Sequence, residues 1–194
     1  LDLLRRLIVE VRQNRPTFFD KDYELQKLRV KQYAEDLFIR QYEHTDVESD
    51  DLIAYYCLNR GKREDVMIYT SDRDMCQLIN ENVTIFLADK KLEVGIGNYK
   101  WFFQHHYENA GLIKMIEGCS TDNIKGIDGV TENTLLNHFP QLKERKVTLE
   151  EVFEESRLIQ ESRGNKPLKV IDNILNGVTR GSQKGSFYEV NKKI

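Results

Sequence analysis

Residues 66–87 read V-M-I-Y-T-S-D-R-D-M-C-Q-L-I-N-E-N-V-T-I-F-L. Val66–Tyr69 is short, apolar and bounded by charge, the pattern of a buried strand. Asp72 and Asp74 follow at once, and Asp74–Ile79 has the look of a short helix. Val83–Leu87 then predicts a second strand. Strands alternating with helices predict an α/β fold with a parallel sheet and flanking helices. In such sheets function gathers outside the carboxyl ends of the strands, which is where Asp72 and Asp74 fall.

Upstream, residues 1–12 fit a helix or a helix-to-strand join, and Arg15-Pro16 breaks that pattern. From Asp20 to about Tyr42, Tyr23, Leu28, Tyr33, Leu37 and Phe38 recur at three- to five-residue spacing. A long amphipathic helix is expected there. Asp50–Cys57 predicts another helix, with Ser49 as its N-cap. Downstream the pattern is helical over 98–108, 110–117, 131–139, 148–162 and 166–176. Trp101, Phe102, Phe103 and Tyr107 read as core. Gly126-Ile-Asp-Gly129-Val130 is a glycine-punctuated hairpin, and Gly177 is a natural helix stop. The expected organisation is an α/β portion over 1–98, a helical region over 99–177 and a polar, basic, loosely ordered tail over 178–194.

Charge is distributed unevenly over the 194 residues, whose net charge is −3. Between residues 44 and 155, twelve Lys/Arg face twenty-one Asp/Glu; residues 156–194 carry eight against three. An acidic middle suits metal ions, and a basic end suits an anionic polymer. With 40% hydrophobic and 31% charged residues the chain has a globular composition. No apolar run approaches the roughly 18 residues that span a bilayer, so no membrane role is expected. Cys57, Cys76 and Cys119 form no C-x-x-C pair, which predicts reduced thiols in a cytoplasmic setting. His105, His106, Cys119 and His138 fit no standard zinc spacing.

Three acidic clusters stand out: Glu48-Ser49-Asp50-Asp51 at a helix start, Ser71-Asp72-Arg73-Asp74 after a strand, and Asp122-Asn123 after a helix. Each has a local explanation. Asp50 and Asp51 favour the positive end of a helix dipole, Ser71 and Asp72 cap a helix, and Asp122-Asn123 makes a turn. Brought together at one sheet edge, such carboxylates require a cation. Hard oxygen donors select Mg²⁺ or Mn²⁺, and two such ions about 4 Å apart promote phosphodiester hydrolysis.

The ordered set V-E-S-D-D-L-I-A (Val47–Ala54), I-Y-T-S-D-R-D-M-C-Q-L (Ile68–Leu78) and G-C-S-T-D-N-I-K-G-I-D-G-V (Gly118–Val130) resembles the 5′-nuclease, or flap endonuclease, superfamily. It is most similar to the 5′→3′ exonuclease domain of bacterial DNA polymerase I and to bacteriophage 5′-exonucleases and RNase H. The resemblance covers about residues 12 to 140. It implies a PIN-like core followed by a helix–two-turn–helix element over Ile124–Phe139. The implied activity is two-metal-ion hydrolysis of DNA or RNA–DNA hybrid at a 5′ end or flap, in a bacterial or phage-infected cell. Glu48, Asp50, Asp51, Asp72 and Asp74 match metal-holding positions, and Asp122 matches a second-metal position. Arg12 and Arg15 match the cations of the arch segment, which contact the scissile phosphate. Lys125, Gly126, Gly129 and Thr131 match the duplex-gripping hairpin, where the family often holds K⁺.

The chain departs from the family pattern twice. Only eleven residues precede Arg12, and Asp2 is the one aspartate among them. The family has strands bearing essential aspartates there. The N-terminal part of the fold is therefore expected to be incomplete, to be supplied by a partner polypeptide, a second subunit or further sequence. If the carboxylate set stays incomplete, a non-catalytic duplex-binding role or half of a split nuclease is the alternative. Cys119 stands where the family has aspartate, and a thiol is a poor ligand for Mg²⁺.

Overall fold

The computed structural model describes residues 8–9, 21–44, 47–60, 63–119, 124–164 and 166–179. Arg12, Arg15, Asp122 and the tail beyond Thr179 lie outside the described residues. Two compact units emerge, residues 1–66 and 67–194. Within the second unit the 3-10 helix Arg73–Leu78 packs on the helix at 110–117.

In the first unit, β1 (Ile8–Val9) pairs parallel with β2 (Gln41–Tyr42). Between them α1 spans Lys21–Asp36. The helix stops short of the expected Tyr42 because the chain turns at Phe38, whose φ of 56° is left-handed. The Ile39 N–H returns to the Ala34 carbonyl at 2.7 Å. Lys31 Nζ pairs with Glu43 at 2.9 Å and holds its carboxyl below the usual carboxylate range. Ala34 is buried, whereas Tyr23, Leu25, Leu28, Val30, Tyr33 and Leu37 are exposed. The second helix, α2, spans Ser49–Arg60. Ser49 lies inside it rather than capping it, since the Leu52 N–H already bonds the Glu48 carbonyl at 3.2 Å.

The second unit is built on β3 (Val66–Thr70), β4 (Val83–Leu87) and β5 (Leu92–Val94), in the order β3-β4-β5. The Ala88 N–H, just past β4, donates to the carbonyl of Thr70, the last residue of β3, at 2.8 Å. The carboxyl ends of β3 and β4 therefore lie side by side, as in a parallel pair. β5, which the sequence pattern did not announce, pairs antiparallel with β4 in the register Ile85↔Val94 and Leu87↔Leu92. Val83, Ile85 and Leu87 alternate inward and are at most 1% exposed. β3 is less covered than expected: Ile68 is buried, but Tyr69 is 73% exposed and stacks on Phe86 at 5.3 Å between ring centroids. Among the described residues β3 is the edge of a sheet packed on one face, which gives this alternation in place of a buried run.

The expected helix over 98–108 is two 3-10 helices, Ile96–Trp101 and Tyr107–Asn109. Tyr99 is the buried ring there, stacked on Phe103 at 4.5 Å with Tyr107 edge-on. Trp101, expected in the core, is 80% exposed, while Phe102, Phe103 and Tyr107 are half-buried. Tyr99 wins the interior because its hydroxyl has a partner there, His105 Nε2 at 2.9 Å.

The rest is helical as predicted: α3 (Ala110–Glu117), α4 (Glu132–His138), α5 (Leu149–Arg163) and α6 (Lys169–Asn176). The short strands β6 (Gly118–Cys119) and β7 (Ile124–Lys125) pair antiparallel between α3 and α4. These helices share a core that includes Ile113, Ile116, Leu135, Leu136, Phe139, Val152, Ile171 and Ile174. Asn109 pins it at one end, donating to the carbonyls of Leu142 and Arg145 and accepting from the Val147 N–H at 2.8 Å. Thr148 and Glu151 form a reciprocal capping box at the start of α5. Gly177 ends α6, as its sequence position suggested.

Candidate active site

Asp72 and Asp74 stand just beyond the carboxyl end of β3. The Asp72 N–H donates to Thr70 Oγ1 at 3.0 Å, and Asp72 Oδ1 accepts the Asp74 N–H at 2.8 Å. Asp72 thus caps the 3-10 helix Arg73–Leu78 with one oxygen, as its sequence position suggested. Capping also fixes the Asp72 carboxylate against the backbone of Asp74. Asp72 is exposed and Asp74 half-buried. Below them Met75 and Cys76 are buried and anchor the turn. Burial pushes the Cys76 thiol up to about 11, so it stays protonated and inert near neutral pH.

Lys114 of α3, which sequence reasoning did not single out, carries the counter-charge: its Nζ is ion-paired with Asp74 Oδ2. No local pattern marks it, since the pairing joins residues that meet only through packing of α3 on the 3-10 helix. Arg73 lies over the Phe103 ring, 5.3 Å from its centroid.

In the same unit the hairpin residues are placed by the junction of α3, β7 and α4. Gly126 is buried, and a Cβ there would fall 1.6 Å from the Glu117 carbonyl oxygen. Its glycine is demanded by the approach of β7 to the end of α3. Gly129 is exposed with φ of 76°, a left-handed turn that glycine adopts freely. The Ile127 N–H donates to the Ile116 carbonyl at 2.8 Å, and Asn173 Nδ2 donates to the Asp128 carbonyl at 2.9 Å. Thr131 is the N-cap of α4, its Oγ1 accepting the Thr134 N–H at 3.3 Å. Lys125 is exposed on β7. His105 is absorbed by structure: Nδ1 lies 2.7 Å from Glu132 Oε1, tying α4 to Tyr99.

In the other unit Glu48, Asp50 and Asp51 are exposed at the N-terminal end of α2. The chemistry of the donor set is uniform: Asp72 and Asp74, like Glu48, Asp50 and Asp51, offer hard carboxylate oxygens, which fit Mg²⁺ or Mn²⁺ and not a soft metal. Among the described residues no three or more His, Cys, Asp or Glu side chains are gathered as a cage. All three cysteines are unbridged. Cys119 is half-buried on β6. Among the described residues no helix is long and apolar enough to cross a membrane.

Residues 5–114 match the family model of the 5′-3′ exonuclease N-terminal resolvase-like domain. A 5′-3′ exonuclease of Bacillus subtilis is 33% identical over 113 residues, 54% of this chain and 37% of that protein. DNA polymerase I of Lactococcus lactis subsp. cremoris is 31% identical over 128 residues, covering 59% of this chain and 14% of the polymerase. The chain thus spans little more than a third of the exonuclease and a smaller part of the polymerase. The fold is that of the bacteriophage T5 flap endonuclease, solved as a pseudo-enzyme-product complex with DNA and metal ions. That structure aligns with TM-score 0.61 at 17% identity, covering 87% of this chain and 67% of the phage chain. The chain therefore belongs to the 5′-3′ exonuclease family, with the resolvase-like N-terminal domain of that family over residues 5–114.

Proposed function

We propose that this chain is part of a structure-specific 5′ nuclease that hydrolyses phosphodiesters of DNA or RNA–DNA hybrid near a 5′ end or flap. The observation that carries the reading is the placement of Asp72 and Asp74 just beyond the carboxyl end of β3, with the Asp72 carboxylate held on the Asp74 backbone N–H at 2.8 Å. Family membership and the DNA and metal ions held by the T5 structural neighbour support it.

Glu48, Asp50, Asp51, Asp72, Asp74 and Asp122 would hold two Mg²⁺ or Mn²⁺ ions. When bound, such ions supply charge stabilisation at the phosphate and activation of water. The chain's own residues do the rest. Capping by Asp72 fixes its own carboxylate at the carboxyl end of β3 before any ligand arrives. Arg12 and Arg15 offset charge on the scissile phosphate. Lys125 contributes attraction to the backbone of one strand. Gly129 and Thr131 shape the turn that presents backbone N–H groups to phosphate. Gly126 acts indirectly, by letting β7 lie against the end of α3. Hairpin carbonyls would take a K⁺ ion. Such contacts read duplex shape and not sequence. The working place would be the cytoplasm of a bacterial or phage-infected cell.

The test is cleavage of a 5′-labelled flap duplex with Mg²⁺ or Mn²⁺, beside an Asp72→Ala/Asp74→Ala variant. Cutting by the parent and loss of at least about 10²-fold in the variant are expected. A folded parent that binds the duplex without cutting it would replace this reading with a non-catalytic binding role.

A further inference from the structure

Asp74 already has a cation. Lys114 Nζ sits on Asp74 Oδ2, and both side chains are only about a third exposed, at 32% and 38%. The base of Lys114 is fixed. Its helix, α3, is anchored by buried Ile113 and Ile116 on either side, and the Lys114 carbonyl accepts the Gly118 N–H that ends the helix. Asp74 is fixed as well, through the cap from Asp72 and burial of the adjacent Met75 and Cys76. Two rigid elements therefore hold one acidic and one basic group in direct contact. The ammonium also relieves repulsion between two carboxylates placed two residues apart.

An ammonium and a divalent ion cannot occupy the same face of one carboxylate oxygen, and they repel each other at that range. We infer that Lys114 is a tethered counter-ion that competes with the divalent metal for Asp74, so that metal binding must displace it. This rests on the reading that Asp74 is a metal ligand. Lys114 is a positioning residue in this scheme: it sets the metal affinity of the carboxylate pair and holds Asp74 in place when no metal is present. Its flexible four-carbon stem allows the ammonium to swing off without movement of α3.

The experiment is Mn²⁺ binding to the full chain by calorimetry, for the parent, Lys114→Met, Lys114→Gln and Lys114→Arg, each also in an Asp74→Asn background. Removing the ammonium should tighten Mn²⁺ binding roughly three- to tenfold, the range expected for loss of a partly exposed ion pair. Lys114→Arg should bind like the parent, and the gain should vanish with Asp74→Asn. At a fixed Mn²⁺ concentration the rise in melting temperature should be larger for Lys114→Met than for the parent. A parent that binds Mn²⁺ with a Lys114→Met or Lys114→Gln variant binding equally or more weakly overturns the counter-ion role and leaves the metal site standing. Binding by neither parent nor variants overturns both. Binding by the variants alone supports the competition in its strongest form.

Discussion

In the unit spanning residues 67–194, Leu135, Leu136, Phe139, Ile171 and Ile174 are at most 2% exposed. In the unit spanning residues 1–66, Leu28, Tyr33, Leu37 and Phe38 are between 62% and 96% exposed. Both sets recur at helical spacing. Periodicity defines an apolar face but says nothing about what covers it. In the larger unit, α3 to α6 cover one another, and Asn109 and the Thr148–Glu151 box satisfy polar groups at the seams. In the smaller one, among the described residues, α1 rests on local bonds such as Lys31–Glu43 and the return of Gln41 Nε2 to the Lys31 carbonyl at 3.0 Å. The candidate carboxylates belong to both units, Glu48, Asp50 and Asp51 to one and Asp72 and Asp74 to the other.

The contrast is sharpest for large-to-small substitutions. Phe139→Ala should destabilise the chain by about 3–5 kcal/mol in urea unfolding, whereas Leu28→Ala should change it by no more than about 0.5 kcal/mol. A comparable loss from both would mean that α1 is covered in solution. Next is Gly126→Ala. A methyl group there overlaps the Glu117 carbonyl, and the cost should reach about 3 kcal/mol as α3 and β7 are pushed apart. A neutral Gly126→Ala would show that this junction yields.

Caps give a smaller and cleaner comparison. Thr148→Ala removes a side-chain acceptor for the Glu151 N–H and should cost about 1 kcal/mol. Ser49→Ala, inside α2, should instead gain a few tenths of a kcal/mol, because alanine is the better helix former. Equal losses would move the start of α2 to Asp50.

Thiols report the two units separately. Burial pushes Cys57 in the first unit and Cys76 in the second up to about 11 from 9.0. A raised folded value means that both thiols contribute stability fully below pH 9, and that the contribution is lost as pH rises from about 9 to about 11. Unfolding followed from pH 7 to 10.5 should therefore lose stability only at the upper end. At pH 8 both thiols react through opening of their surroundings, so Cys57 should be alkylated before Cys76 if the thinner core opens more readily. The reverse order, read by mass spectrometry of labelled peptides, would reverse the ranking of the two units.

Residues 66–87 announced two strands and the turn between them, and the structure has them within a residue. β5 escaped because three residues, Leu92-Glu-Val94, are too few to show alternation, and their pairing with β4 follows a turn at Lys91 with φ of 52°. The fragmentation of 98–108 escaped because Trp101, Phe102 and Phe103 carry no period that separates an exposed ring from a buried one. Only the hydroxyl partner at His105 selects Tyr99. Asp72 and Asp74 were legible as a pair from their position after β3. Lys114 was not, being distant in sequence from Asp74.

By itself the sequence determined the α/β class, the order of the acidic motifs and the family. These reside in short runs whose strand and helix patterns, cap residues and glycines act locally. The tertiary structure alone decided which apolar faces are covered, that Gly126 answers to the Glu117 backbone, and that Asp74 meets Lys114. Each of these depends on a contact between segments far apart in the chain. No local propensity encodes such a contact; it forms because packing of the shared core brings the segments together.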